Sequence, residues 1–352
     1  MSSISMDSYL EVVSPHLAPA IVDRAALCRL QAVARLLPPC SLAGFELRAR
    51  DDQPTVDFFV RLPYVNPGFA PPLLAHPVWQ TLRRLCDDVS SPSGRLHEQV
   101  THIFIEFDLG APPSATPIPG LFLELNTSRT LTAPDVLAMT DTLDIHRHPS
   151  CISAQALDCC LKALPSGAKV ADVGVMLSRP GAALRLVIQR MPPGGVCRYL
   201  DSIGWLDPAH QFSTLVDDIA AHADPEAMLD IDVADTVRPR VGVEFYLRRE
   251  TDNLPRWKTL FALLVERGLA GHAKTAAILE WPGFTQEGAA GHPWAENLTL
   301  GDLLLRGKAR SLFWRTINHI KLGYQPGQKP EIKIYLGLGH NWFPTSAVAG
   351  SL

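Results

Sequence analysis

Close to its C-terminal end the sequence reads HIKLGYQPGQKPEIKIYLGLGH, residues 319–340. After the Pro-Gly turn, Ile332, Ile334, Leu336 and Leu338 fall on one parity, and Lys333, Tyr335, Gly337 and Gly339 on the other. Residues two apart on a strand share a face, so an ammonium and a phenol stand side by side there. The ammonium is a compact cation, and the phenol is a hydrogen-bonding group with a π face. A strand face wetted by bulk solvent would carry several charges and few glycines. This pattern suits a face turned into an enclosed polar space, where such groups can act on a ligand.

Four other stretches repeat the pattern of strand, turn and strand: residues 44–63, 102–126, 170–191 and 228–249. Alternation of period two with Pro/Gly turns between the runs is the signature of hairpins. Pro326-Gly327 and Pro180-Gly181 fit the central positions of type II turns. Between the hairpins the apolar spacing becomes helical. HPVWQTLRRLCDDV aligns Val78, Leu82, Leu85 and Val89 on one face, with Pro77 suited to a helix start. PRWKTLFALLVERGLAG groups Trp257, Leu260, Phe261 and Leu264, with Gly268 as a stop.

Ten strands in successive hairpins pair as antiparallel neighbours, and the helices cover their apolar faces. A sheet of that length curls, and closure removes both exposed edges. The expected fold is α+β: a ten-stranded antiparallel β-barrel built from five helix-hairpin-helix (αββα) units and ringed by helices. It would form a single domain over 1–352, with a Gly/Pro-rich surface loop at 281–297. An open, helix-backed sheet is the competing arrangement.

If the apolar parity faces the helices, the other parity lines the lumen. The first hairpin then contributes Glu46, Arg48, Asp57, Phe59 and Arg61. The second contributes His102, Phe104, Glu106, Asp108, Phe122, Glu124 and Asn126. The third gives Asp172, Met176, Arg185 and Gln189, and the fourth Asp230, Asp232, Gly242, Glu244 and Tyr246. His319, Lys321, Lys333 and Tyr335 complete the set. One β-bulge would invert the parity beyond it. Gly242, Gly337 and Gly339 hint at a sizeable lumen.

The 352 residues carry a net charge of −4 and no long basic run, which argues against a nucleic-acid surface. No basic-then-apolar leader and no membrane-length apolar run are seen, so a cytoplasmic protein is expected. Seven cysteines show no paired spacing and read as small buried hydrophobes. His146-Arg147-His148 lacks nearby partners for a metal shell. Walker, GxGxxG, GxSxG and HExxH motifs are absent, and no organic cofactor is expected.

Five αββα units around a ten-stranded barrel resemble the ABBA aromatic prenyltransferases, a group that includes dimethylallyltryptophan synthases and cyanobactin peptide prenyltransferases. The Lys-x-Tyr of EIKIYL is similar to the strand pairs by which that family holds diphosphate. LRLVIQRMPPGGVCRYLDSIGW looks like the strand-then-helix of the cyanobactin branch. The resemblance implies transfer of an isoprenoid from an allylic diphosphate to an aromatic or peptide acceptor in secondary metabolism. In that chemistry Arg48, Arg61, Arg185, Lys321 and Lys333 would neutralise the leaving group. Tyr246, Tyr335, Phe59, Phe104 and Phe122 would shield the allylic cation. Glu106, Glu124 or Glu244 would accept the proton lost by the acceptor.

The alternation places nine carboxylates in the lumen against five Lys/Arg. Either Mg²⁺ bridges some of them, or the cations cluster at one mouth, or the substrate is not a diphosphate. Glu244-x-Tyr246 also stands where the family pattern would place a cation and a tyrosine. Two other readings therefore stay open: an acid/base enzyme on the same barrel, working without a diphosphate, and a non-catalytic ligand-binding barrel.

Overall fold

Apolar residues at alternate strand positions need cover, and in this chain helices supply it. The computed structural model describes residues 4–63, 65, 67–110, 114–142, 152–179, 183–205, 211–248, 253–288 and 293–345. The strands are β1 (Leu42–Arg48), β2 (Val56–Arg61), β3 (Val100–Phe107), β4 (Gly120–Leu125), β5 (Lys169–Met176), β6 (Leu184–Met191), β7 (Ala227–Val233), β8 (Val237–Tyr246), β9 (Gly283–Thr285), β10 (Ala309–Tyr324) and β11 (Glu331–Pro344). Each pairs antiparallel with its neighbour, and β8 pairs with β10. The ring closes where β11 runs along β1, from Leu42 opposite Gly339 to Arg48 opposite Lys333. The result is a closed ten-stranded antiparallel barrel, with short β9 added alongside β10.

Because strands alternate in direction, the five hairpin turns lie at one mouth, the turn side. The helical connections cross at the other, the helix side. At the last turn Gly327 takes φ 78° and Gln328 N–H donates to the Gln325 carbonyl at 3.0 Å, as a Pro-Gly type II turn requires. Pro180-Gly181 lies outside the described residues.

The outward parity forms the core with the helices. Phe45, Leu47, Phe58, Val60, Ile103 and Ile105 are buried beside Trp79, Leu82, Leu85, Trp257, Leu260 and Phe261. The helix Pro77–Ser90 begins at the expected proline and stacks Trp79 on Phe107, ring centroids 6.3 Å apart. Within 281–297, Trp281 is buried against Phe45, β9 follows, and the helix Glu296–Leu304 starts near the end.

Cys40, Cys86 and Cys160 are buried as expected, whereas Cys28 and Cys159 are exposed on outer helix faces. His146-Arg147-His148 lies outside the described residues. No helix among the described residues is long and apolar enough to cross a membrane.

Candidate active site

The strand register sorts the inward side chains into rows around the barrel. On the turn side, Arg48 lies beside Lys333 and Lys333 beside Lys321; Glu244, next to Lys321, is already close to the helix-side end of β8. Arg185 is opposite Asp232. These residues open onto a cavity of about 290 Å³ that is lined by Arg48, Arg179, Arg185, Arg240, Lys321 and Lys333, with Asp230, Asp232 and Glu331. Six cations face three carboxylates there, so the cations of a nominally acidic lumen cluster at one mouth.

Each of these cations has a carboxylate partner. Arg185 makes a bidentate pair with Asp232 at 2.7 and 3.0 Å, and Arg179 a second with Asp108 at 2.9 and 2.5 Å. Lys321 contacts Asp230, and Arg240 meets Glu331 at 2.7 Å. Arg48 bridges Glu46 at 2.8 Å and Asp57 at 2.5 Å. Lys333 donates to Glu46 at 2.5 Å, and the Tyr335 hydroxyl donates to the other Glu46 oxygen. Burial would push the Glu46 carboxyl up, but the Lys333 and Arg48 charges with these hydrogen bonds hold it well below the usual range. Lys321 is pushed down by burial and by the nearby Arg185 and Lys333 charges.

Glu106 stands apart from this pairing. Among the described residues it has no hydrogen-bond or ion-pair partner. Burial and then the Glu46 charge push its carboxyl up to about 8. A carboxyl in that state can give or take a proton near neutral pH. A non-catalytic barrel is expected to pair its lumen charges and leave their titration ordinary, and Glu106 departs from both.

Deeper in, one row runs Tyr246, His319, Tyr335, Glu46 and Asp57 across five strands. The Tyr246 hydroxyl donates to Glu244 at 2.6 Å. His319 is sandwiched between rings, its centroid 4.1 Å from Tyr335 and 4.9 Å from Tyr246. On the opposite wall Glu124 lies beside Asp172 and 3.0 Å from the ring nitrogen of His102.

The aromatic faces expected in the lumen are there. Phe59 lies against Tyr335, centroids 6.2 Å apart, and Phe122 covers Gly174. Of the three lumen glycines anticipated to leave space, Gly242 and Gly339 do not, while at Gly337 a Cβ would stand 3.3 Å from the Thr316 methyl. A Cβ at Gly242 would strike Lys321, one at Gly44 Phe59, and one at Gly339 Trp314. Each admits a neighbour's side chain across the strand pair.

The structure thus gathers Arg48, Arg185, Lys321 and Lys333 at one mouth, and Tyr246, Tyr335, Phe59, Glu106 and Glu244 along the lumen. Phe104 and Phe122 are paired on adjacent strands. Arg61 is not brought to the cation cluster: it ends β2 at the helix side and donates to Ser41 Oγ at 3.2 Å. Asp108 and Asn126 lie just past strand ends and are exposed. Sequence parity missed Arg179 and Arg240, the first in a turn and the second at an exposed strand position. It also missed Trp314, because a bulge between Ile317 and His319 switches the lumen parity of β10.

Glu46, Asp57 and Glu106 bring carboxylate oxygens within 4.8 Å of one another, the one such group among the described residues. Arg48 and Lys333 already neutralise two of them. An octahedral Mg²⁺ needs oxygen donors free to turn to it, and Arg48 and Lys333 hold two of these three carboxylates, so this donor set does not suit it.

A helix-sheathed, ten-stranded antiparallel cylinder of this kind is the prenyltransferase barrel. Among solved structures, prenyltransferase PriB in its apo form matches with TM-score 0.51 and 14% identity, covering 94% of each chain. 5-Dimethylallyl tryptophan synthase from Streptomyces coelicolor, in complex with DMASPP and Trp, gives 0.49 and 14%, covering 94% of this chain and 93% of that one. The ternary complex of PriB with L-tryptophan and dimethylallyl thiolodiphosphate gives 0.47 and 15%, with 94% and 95% covered. At these identities the likeness is one of fold. No family model and no curated protein sequence matches the chain.

Proposed function

We propose that this chain transfers an isoprenoid from an allylic diphosphate to an electron-rich aromatic or peptide side chain in natural-product biosynthesis. The observation that carries the reading is the cation-lined cavity at one mouth of a closed barrel whose inward faces carry Tyr246, Tyr335 and Phe59. Arg48, Arg185, Lys321 and Lys333 hold the diphosphate by exchanging carboxylate partners for its oxygens. The allylic C–O bond breaks with its electron pair leaving on the diphosphate. Tyr246, Tyr335 and Phe59 face the cation and keep water away. The acceptor's π electrons form the new C–C bond, and a lumen carboxylate takes the displaced ring proton. Glu106 suits that last role, being half-buried, without a direct partner among the described residues and able to change protonation near neutral pH.

The same Glu106 also supports the second reading, an acid/base enzyme that needs no diphosphate. Incubation with dimethylallyl diphosphate and an indole acceptor separates the two. Prenyl transfer gives an acceptor heavier by one dimethylallyl group less a proton, together with free diphosphate. Absence of product across dimethylallyl and geranyl donors and several aromatic acceptors would favour the second reading.

A further inference from the structure

The carboxylates of the helix-side half of the lumen lack what those of the turn side have. Register sets Glu124 beside Asp172, and Asp172 is in electrostatic reach of Glu244 on the other wall. Among the described residues no Lys or Arg pairs with Glu124 or Asp172; Glu124 has only His102. Glu244 meets Lys321 no closer than 3.5 Å. Burial, with Glu124 and Glu244 nearby, pushes the Asp172 carboxyl well up. The Glu124 side chain is 40% exposed and Glu244 accepts from the Tyr246 hydroxyl at 2.6 Å, but among the described residues no Lys or Arg closes on any of the three, so this group is short of a positive charge.

An independent feature borders this group at Glu244. His319 is only 7% exposed, and neither ring nitrogen has a hydrogen-bond partner. Its Nε2 lies 3.5 Å from Glu244 Oε2, between the rings of Tyr246 and Tyr335. Burial favours the neutral imidazole, which offers a free acceptor nitrogen to an N–H donor. At the rim, the Arg248 guanidinium already stacks 3.8 Å from the Tyr246 ring centroid, so that aromatic wall accepts a planar cation.

We infer that the helix-side half of the lumen is an acceptor subsite for a cationic group, a protonated amine or a guanidinium, held by Asp172, Glu124 and Glu244 with His319 as hydrogen-bond acceptor. The inference rests on the prenyl-transfer reading for calling the ligand an acceptor. The barrel then divides its charge: a cationic mouth for the leaving group and an anionic mouth for the nucleophile. Opposite charges on the two ligands keep each out of the other's subsite.

Calorimetric titration of the full chain with tryptamine, agmatine, 3-methylindole and indole-3-acetate tests this. The first two are cations of the two chemical sources, the third is neutral and the fourth an anion. At least one cation binds about tenfold or more tighter than 3-methylindole, as a charge-assisted pair implies. Asp172→Asn and Glu124→Gln, one deeper and one more exposed, each erase most of that preference. His319→Phe reduces it while keeping affinity for 3-methylindole. Equal binding of cation and neutral probe, preference for the anion, or failure of both cations to bind overturns the inference. Dimethylallyl thiolodiphosphate is titrated in parallel. Its failure to bind while the cation preference persists would overturn the prenyl-transfer reading and leave the cation subsite standing.

Discussion

Burial and the Glu46 charge push the Glu106 carboxyl from an ordinary 4.5 up to about 8, so the folded chain keeps a proton there that the unfolded chain has lost. Where the folded state binds the extra proton, stability falls as pH rises. The penalty is absent below 4.5, grows through the window up to about 8, and is constant above it. Glu106→Gln has the same shape and no titration. Its stability relative to wild type, from urea denaturation at several pH values, therefore rises across that window and levels off beyond it. A difference that does not change with pH would mean that Glu106 is solvated and ordinary. Glu46 behaves in the opposite sense: its depressed carboxyl contributes stability above the unfolded value that is lost as pH falls. Glu46→Gln strips the charge that Lys333 and Arg48 share and costs about 3 kcal/mol, as breaking a buried pair does. Lys333→Met costs less, about 1–2 kcal/mol, because Glu46 keeps Arg48 and Tyr335. The reverse ranking in the same assay would place the hub of the network elsewhere.

The β1–β2 turn shows how an element outside the lumen positions a residue inside it. Lys274, buried in the helix His272–Leu279, donates to the carbonyls of Arg48, Arg50 and Gln53 at 2.9, 2.9 and 2.6 Å. Asp51 in turn accepts from the backbone N–H of Lys274 at 2.9 Å. Helix and hairpin are locked together, with Arg48 at the root of the turn. Lys274→Met takes their shared donor from three partly buried carbonyls and costs about 2 kcal/mol. Limited proteolysis then cuts first near residues 49–55; cleavage elsewhere first would show that this turn is held by other means. Strands, turns and lumen parity were legible in the sequence because period two follows directly from strand geometry. Trp314 was not legible, since the extra residue at Asn318 shifts parity and bulges leave little trace in composition. Arg61 obeyed parity, but it lies at the wrong height. Parity gives the face of a side chain, and only the cross-strand register gives its level along the barrel.

Closure of the cylinder gives these levels their meaning. β11 is hydrogen-bonded on both sides, to β1 and to β10, and proline there removes a ladder donor and crowds the neighbour. In Ile334→Pro, amide exchange rises together in β1, β10 and β11; a rise in β10 and β11 alone would describe an open sheet. The nine-to-five excess of carboxylates counted from the sequence proved a poor guide to the lumen's field. The turn-side cavity carries six cations, Arg179 and Arg240 among them, whereas Glu124 and Asp172, which pair with no Lys or Arg among the described residues, do not line it. Total charge is additive along a chain, but its separation into two mouths depends on three-dimensional register. The most direct test of the proposed diphosphate site is calorimetric titration with dimethylallyl thiolodiphosphate in metal-free buffer, on wild type, Lys333→Ala and Arg185→Met. Saturable binding is expected, weakening with added salt and by about tenfold or more in each variant. Absence of binding, or equal affinity in all three proteins, would contradict the proposed site.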